Sequence, residues 1–119
     1  MKKVSLKNLT IIDILETINK RYSEKIALQI KTKAGYRGIS YIDLGRRTVD
    51  VSSTLIKLGI DKNDRVAILS ESRPEWGIAF FGVMSCGGII VPLDIKLSEK
   101  EIQFILNDSK AKCIFISEK

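Results

Sequence analysis

Few residues in this chain have the side chains that chemistry usually requires. Histidine is absent, which excludes histidine general acid–base catalysis, a Ser-His-Asp triad and histidine metal ligands. The two cysteines, Cys86 and Cys113, stand far apart in apolar surroundings, and without histidine they do not predict a structural zinc site. We interpret both as free, buried thiols, with a disulfide as the minor alternative.

Paired acids and glycine-rich loops are the remaining candidates for a catalytic or nucleotide site. Asp61 and Asp64 lie in a predicted turn, and Glu99 and Glu101 lie on the outer turn of a predicted helix, so we interpret all four as solvated caps and surface charge. The sequence has no phosphate-binding loop of the G-x-x-x-x-G-K or G-x-G-x-x-G kind, and the glycines at 87–88 lead into a predicted strand. From the residues alone we assign no catalytic residue, no cofactor-binding residue and no metal ligand.

The positive charge of the chain is concentrated at its start. Residues 1–40 hold nine of the 20 basic residues and three of the 14 acidic ones, which accounts for the whole net charge of +6. Nucleic-acid binding usually needs basic residues on one face together with stacking aromatics, and Tyr22 and Tyr36 are the only aromatics in this part. We interpret the region as a solvated basic surface and predict no nucleic-acid partner.

Length and composition predict one small folded unit. With 119 residues, 45% of them apolar and 29% charged, the chain has ordinary globular composition and enough apolar surface to offset the entropy of folding. No apolar run approaches the roughly 20 residues that span a bilayer, and the basic start lacks the apolar region of a signal peptide. We therefore predict no transmembrane segment and a cytoplasmic location.

The clearest structural signals are four capping boxes, in which a Ser or Thr precedes an acid by three residues and an apolar helical pattern follows. These boxes are Thr10/Asp13, Ser40/Asp43, Ser72/Glu75 and Ser98/Glu101. They predict helices over 11–20, 41–58, 73–86 and 99–107. In the second helix we expect Leu44, Val51, Leu55 and Leu58 to point inward, with Gly59 ending the helix in a left-handed conformation.

Short β-branched runs between the helices predict the strands. Strands over 26–30 and 36–39 form a hairpin around the turn at 33–35. Buried strands follow over 65–69, over 89–91 with Pro92 as the stop, and over 113–116. Because helices of this length join parallel strands by right-handed crossovers, the predicted fold is α/β, a βαβαβ parallel sheet with a small N-terminal helix and hairpin.

The helix over 73–86 is apolar around nearly its whole circumference, so it needs cover on more than one side. A parallel sheet also needs cover on both faces. We infer that these residues belong to a larger domain, and we expect the isolated chain to self-associate through exposed apolar surface. In the alternative, the first helix and the hairpin complete the cover.

Six short stretches, in one order and without large gaps over about residues 25–117, resemble those of the adenylate-forming, or AMP-binding, enzymes. They read YIDL at 41–44, GIDKNDRVAIL at 59–69, SRPEW at 72–76, GGIIVPLD at 87–94, LSEKEI at 97–102 and NDSKAK at 107–112. Asn63 and Ser72 depart from the usual Gly and Asn, yet Asn tolerates a left-handed turn and Ser caps a helix as well as Asn does. The set is similar to the N-terminal part of an acyl-CoA synthetase of the long-chain fatty acid–CoA ligase type.

The resemblance implies a function for the parent enzyme. Such enzymes activate a carboxylate with ATP and Mg²⁺ to an acyl-adenylate and then transfer the acyl group to CoA. Their phosphate loop, nucleotide contacts and catalytic lysine come later than the stretches matched here, so we expect a fragment that is inactive alone and has the rest of the synthetase as its partner. The SRPEW stretch favours a fatty acid, with aryl and succinylbenzoate-type acids left open.

The resemblance also divides the chain into an N-terminal helical segment, 1–24, and a partial α/β subdomain, 25–119. Trp76 is the one site residue that it implies, as a wall of the acyl pocket. A core anchor is the more conservative reading of Trp76, and Arg73 and Glu75 are interpreted as a cap and surface charges. Two alternatives stay open: a stand-alone α/β interaction module without catalysis, and an unusual nucleotide-binding domain.

Overall fold

The computed structural model describes residues 10–118, in which a helix and a hairpin precede alternating strands and helices. In chain order the elements are α1 (Ile11–Arg21), β1 (Ile26–Thr32), β2 (Gly35–Ser40), α2 (Tyr41–Lys57), β3 (Arg65–Leu69), α3 (Pro74–Ser85), β4 (Ile89–Leu93), α4 (Glu99–Ser109) and β5 (Cys113–Ile116). Residues 1–9 of the predicted segment 1–24 lie outside the described part, and the division at residue 24 stays a prediction.

Three strands form a parallel sheet in the order β4-β3-β5, and β1 and β2 form a separate antiparallel hairpin. In the parallel sheet, Ala67 of β3 lies opposite Val91 of β4 and Ile114 of β5. The central strand is fully buried at residues 66–68. The predicted α/β class, with a βαβαβ parallel sheet after a helix and hairpin, is confirmed.

The strand β4 continues past Pro92, so the prediction that this proline stops the strand is wrong. Pro92 lies opposite Ile68, and the strand ends at Leu93. A central strand is hydrogen-bonded to a neighbour on both sides, so it needs every backbone N–H, and proline has none. At the edge of the sheet one side of the ladder has no partner, so β4 tolerates the proline there.

Two of the predicted capping boxes form in full. The Thr10 hydroxyl accepts a hydrogen bond from the Asp13 N–H at 3.1 Å, and the Asp13 carboxylate accepts one from the Thr10 N–H at 3.0 Å. Ser98 and Glu101 exchange the same two bonds at the start of α4. At the start of α2 the Ser40 hydroxyl accepts a hydrogen bond from the Asp43 N–H at 3.3 Å, while the Asp43 carboxylate accepts none from the Ser40 N–H.

The box predicted at Ser72 does not form, because α3 begins one residue later than expected. Arg73 occupies the N-cap position in an extended conformation and makes no side-chain cap bond. Pro74 follows at the first helical position, where a proline costs no hydrogen bond and its fixed φ suits the helix. The Glu75 side chain is thereby free to bind arginines, as described below.

The turn from α2 into β3 follows the prediction except at Leu58. Gly59 has φ +93°, and Asn63 has φ +69°, so both take the left-handed conformation expected of them. Leu58 is the C-cap residue and is 68% exposed, so its predicted inward position is wrong. At the C-cap the helix has already ended, and the helical spacing no longer fixes where a side chain points.

The buried side chains form two clusters on either side of the contact between α2 and α3. One contains Leu15, Ile39, Leu44 and Ile78, and it joins α1 and the hairpin to the two helices. The other contains Leu55, Ile60, Val66 and Val83, and it joins the helices to the sheet. Helix α3 is therefore covered by α1, α2, β1 and the sheet, so the first helix and the hairpin do supply part of its cover.

Helix α4 differs from the others because none of its residues is buried, and Phe104 is 69% exposed. The described helices, all within residues 10–118, are too short or too polar to cross a bilayer.

Candidate functional site

A cavity of about 410 Å³ opens where β3 and β5 end and α3 begins. Its apolar wall includes Ile68, Ala79 and Phe115, and its rim includes Arg73 and Ser117. The carboxyl ends of parallel strands are where open α/β sheets usually bind ligands, because the strand ends and the following loops leave a crevice there. This edge is therefore the candidate functional site.

A network of charged side chains crosses the rim of the cavity. Arg37 Nη1 and Nη2 donate to the Glu75 carboxylate, at 2.8 and 3.2 Å, and Arg73 Nε donates to the same carboxylate at 2.8 Å. Arg73 Nη1 also donates to Glu71 at 3.2 Å, and the Ser117 hydroxyl donates to Glu71. We call these five residues the rim network; they tie the hairpin, the β3–α3 loop and the end of β5 together.

The rim network holds its carboxylates in the ionised state. Hydrogen bonds from Arg37 and then Arg73 lower the pKa of Glu75 to about 2. The hydrogen bond from Ser117 is the main reason that the pKa of Glu71 is lowered, and Glu75 raises the pKa of Arg73. A general acid or base works best with a pKa near the operating pH. These groups therefore suit fixed positioning and not proton transfer near neutral pH.

Trp76 lies on the wall of the cavity, one residue after Glu75. Its indole is half-buried and stacks on the Phe80 ring, with the ring centroids 5.5 Å apart and the planes 19° from parallel. Phe80 in turn meets Phe81 edge to face at 5.3 Å. The stack fixes the orientation of the indole, which presents a rigid apolar surface to the cavity. Binding of an acyl group by Trp76 stays a prediction.

Arg73 and Glu75, interpreted above as a cap and surface charges, are also joined in ion pairs, and Arg73 does occupy the N-cap position of α3. Their side chains are 34% and 39% exposed, and each has two charged partners. Arg37, Glu71 and Ser117 were not predicted at all. Local spacing could not reveal the links across the fold, because Arg37 lies 38 residues from Glu75 and Ser117 lies 46 residues from Glu71.

Asp64, interpreted above as a solvated cap, is only 18% exposed in its side chain. Its carboxylate accepts from the Asp61 backbone N–H at 2.7 Å and from Lys112 Nζ at 3.0 Å. The backbone hydrogen bond is the main reason that its pKa is lowered. Asp64 therefore fastens the turn before β3 to the residue before β5, at the opposite end of the sheet from the cavity.

A second, smaller depression of about 210 Å³ runs between α2 and the free edge of β5. We call it the α2–β5 groove; its apolar lining includes Val51, Leu58, Cys113 and Phe115. Cys113 and Cys86 are both free and only half-buried, which corrects the expectation of fully buried thiols. Among residues 10–118, no ion pair joins the side chains that line the groove.

A family model described as "AMP-binding enzyme" matches residues 15–119. Among curated proteins, 4-hydroxybutyrate–CoA ligase 2 of Metallosphaera sedula is 31% identical over 110 residues, which are 92% of this chain and 19% of the ligase. The chain therefore spans about a fifth of the length of that relative.

Solved structures match over nearly the same range. The N-terminal subdomain of Klebsiella oxytoca NpsA, in complex with anthranilyl-AMSN, superposes with a TM-score of 0.81 at 26% identity, covering 91% of this chain and 27% of that one. The fatty acid AMP ligase of Legionella pneumophila superposes with a TM-score of 0.88 at 23% identity, covering 99% of this chain and 21% of that one. The second likeness concerns the fold alone.

Proposed function

This chain belongs to the family of AMP-binding enzymes, and on that premise we propose that it is the N-terminal scaffold segment of an ATP-dependent acyl-CoA synthetase. The complete enzyme converts a carboxylate and ATP to an acyl-adenylate and then forms a thioester with CoA. The observation that carries the proposal is the family match over residues 15–119, combined with a span of 19% of a related CoA ligase. A cytoplasmic location belongs to the same proposal and rests on the composition.

The role of the segment in binding is to supply one apolar wall of the acyl site. The apolar part of the cavity at the ends of β3 and β5 includes Trp76, Ala79 and Phe115, and this part is the surface that would contact an acyl chain. The rim network supports this role because it fixes the start of α3, and with it Trp76, against the hairpin. A fatty acid is the substrate class that we favour.

The residues described here do not fit an ATP–Mg²⁺ site. Within residues 10–118, no group of three or more metal-ligating side chains is placed to hold an ion, and the Arg37 and Arg73 guanidinium groups are already paired with carboxylates. Phosphoryl chemistry depends on cationic groups placed to stabilise the developing charge. We therefore assign the binding of ATP, Mg²⁺ and CoA to later parts of the enzyme. The remainder of the enzyme is also the partner that we propose for this chain.

The proposal is tested on the longest natural polypeptide that contains this chain. We expect it to release pyrophosphate from ATP when a carboxylic acid is present, with medium-chain to long-chain fatty acids as the best substrates. Replacing Trp76 by Ala should raise the KM for the acid severalfold while the KM for ATP changes little, because the indole lines the cavity that we propose for the acyl group. The control is Phe104→Ala, which changes an exposed aromatic residue on α4 that does not line the cavity.

Calorimetry separates the proposal from its alternatives. We expect the 119-residue chain to show no heat of binding with ATP and Mg²⁺. Binding of ATP by the 119-residue chain alone would support the nucleotide-binding domain, and it would contradict the proposal that this segment is a catalytically inactive scaffold. A natural polypeptide without acid-dependent pyrophosphate release would instead favour the stand-alone interaction module.

A further inference from the structure

The outward face of α2 carries an apolar stripe that the fold does not cover. Ile42, Val49 and Ile56 are 42%, 62% and 59% exposed, although the same helix buries Leu44 and Leu55 on its other side. A spacing of seven residues is two turns of an α-helix, so the three side chains lie in one row. The row is about 21 Å long, at 1.5 Å per residue. Single exposed apolar residues are ordinary, but an aligned row of β-branched ones indicates a contact surface.

The residue types along the row are symmetric about its centre. Val49 stands at its centre, and isoleucines stand seven residues before and after it. If a second copy of α2 packs antiparallel on the first, Val49 meets Val49 on the two-fold axis and Ile42 meets Ile56 at each end. A two-fold interface requires this kind of self-complementary surface, because both subunits use the same patch.

The charges beside the row are also self-complementary. Asp43, Arg46, Asp50 and Lys57 all fall on one flank of the row at 3.6 residues per turn, and their signs alternate along the helix. In an antiparallel pair the same flanks of the two helices face each other. Asp43 then faces Lys57 of the second copy, and Arg46 faces Asp50 of the second copy. The Arg46 and Asp43 side chains are 70% and 53% exposed and touch each other only at 3.6 Å, so both can take such partners.

We propose that this chain forms a two-fold symmetric dimer through antiparallel packing of α2, with the Ile42–Val49–Ile56 row at its centre. The self-association expected from the sequence would thereby use a defined surface, and the partner at that surface is a second copy of this chain. It does not depend on catalysis. A contact along one helix face is small, so the dimer is of the weak, concentration-dependent class.

Sedimentation velocity on the full chain, from about 1 µM to about 1 mM, tests the proposal across the range in which a weak dimer forms. We expect a shift from monomer to dimer with concentration. Val49→Glu should raise the dissociation constant at least about tenfold, because it places two like charges on the two-fold axis. Val49 is exposed, so the fold survives the change, which an unaltered circular dichroism spectrum verifies.

The matched control is Leu58→Glu, an equally exposed residue that points to the α2–β5 groove and not to the row. It should leave the dissociation constant unchanged. Charge reversal supplies a second test: Arg46→Glu alone should weaken the dimer, and adding Asp50→Arg should restore it. A chain that stays monomeric to the highest concentration, or a dimer lost in Leu58→Glu and kept in Val49→Glu, would overturn the proposal.

Discussion

Arg37 of the hairpin and Glu75 of α3 are joined by two hydrogen bonds, at 2.8 and 3.2 Å, across 38 residues of sequence. This bidentate pair is the main polar link between the hairpin and the start of the helix that carries Trp76. Arginine and carboxylate match in geometry when two N–H groups meet two oxygens, so the pair fixes direction as well as distance. The N-terminal part of the chain thereby positions the wall of the cavity.

The pairing of Glu75 should make stability depend on pH in the acid range. Its pKa is about 2 in the folded chain and 4.5 ordinarily, so its contribution is complete above about pH 5 and is lost as the pH falls toward 2. Because the side chain is 39% exposed, solvent screening reduces the contribution to about 1 kcal/mol. Urea unfolding between pH 2 and pH 6 should show this loss in the wild type and a flatter profile in Glu75→Gln.

The control for this experiment is Glu99→Gln. Glu99 is exposed in the first turn of α4, and its carboxylate has no ion pair within residues 10–118. This variant should follow the wild-type profile. If Glu75→Gln and Glu99→Gln give the same pH dependence, the rim network does not stabilise the fold.

The sequence predicted the order of the elements correctly because each helix and strand has a local cause. Capping boxes, left-handed Gly59 and Asn63, and the β-branched runs all act within a few residues. Pro92 was misread because its tolerance depends on β4 being an edge strand, which only the assembled sheet decides. Leu58 was misread because helical periodicity was extended past the end of the helix.

The candidate site was less predictable than the fold. Trp76 could be named from its stretch of sequence, but the cavity beside it is formed by α3, β3 and β5 together. Ser72 illustrates the difficulty at the level of single residues. It has the right type and spacing for a cap, yet the proline two positions later sets the helix start and leaves Glu75 to pair with arginines.

Ser72 and Ser98, two of the four predicted helix caps, should therefore respond differently to mutation. Ser98→Ala removes a hydroxyl that accepts the Glu101 N–H at 3.2 Å, and we expect a cost of about 1 kcal/mol. Because α4 buries none of its side chains, the loss should appear first as faster hydrogen exchange of its amides. Ser72→Ala removes no cap and should change the free energy of unfolding by less than about 0.5 kcal/mol. Equal effects of the two changes would contradict the assigned start of α3.

The turn before β3 should depend more on a backbone hydrogen bond than on an ion pair. Asp64 accepts from the Asp61 N–H at 2.7 Å, and its partner Lys112 is 56% exposed. Asp64→Ala removes both interactions, whereas Asp64→Asn retains an acceptor for the N–H. We expect Asp64→Ala to lower the Tm more than either Asp64→Asn or Lys112→Met. A Lys112→Met variant as unstable as Asp64→Ala would show that the ion pair is the dominant interaction.

The contact between α2 and α3 at Gly82 should be sensitive to added volume. Gly82 lets α3 approach α2, and a Cβ added there would lie 2.7 Å from the Val51 Cβ, which is fixed to the backbone and cannot move aside. We expect Gly82→Ala to cost about 2–3 kcal/mol in urea unfolding. Gly77→Ala is the matched control in the same helix. Its added Cβ would meet the far end of Leu28, 2.8 Å away at Cδ1, so that side chain can rotate while the helix gains propensity.

The double variant Gly82→Ala/Val51→Ala decides whether this contact is the cause. Truncating Val51 removes the atoms that the new methyl group meets, so the two changes together should cost less than the sum of the single changes by about 1 kcal/mol or more. Additive costs, or a Gly77→Ala variant as unstable as Gly82→Ala, would show that the loss comes from the helix backbone. In that case the packing of α2 on α3 would tolerate a larger side chain, and Gly82 would not determine how closely the two helices approach.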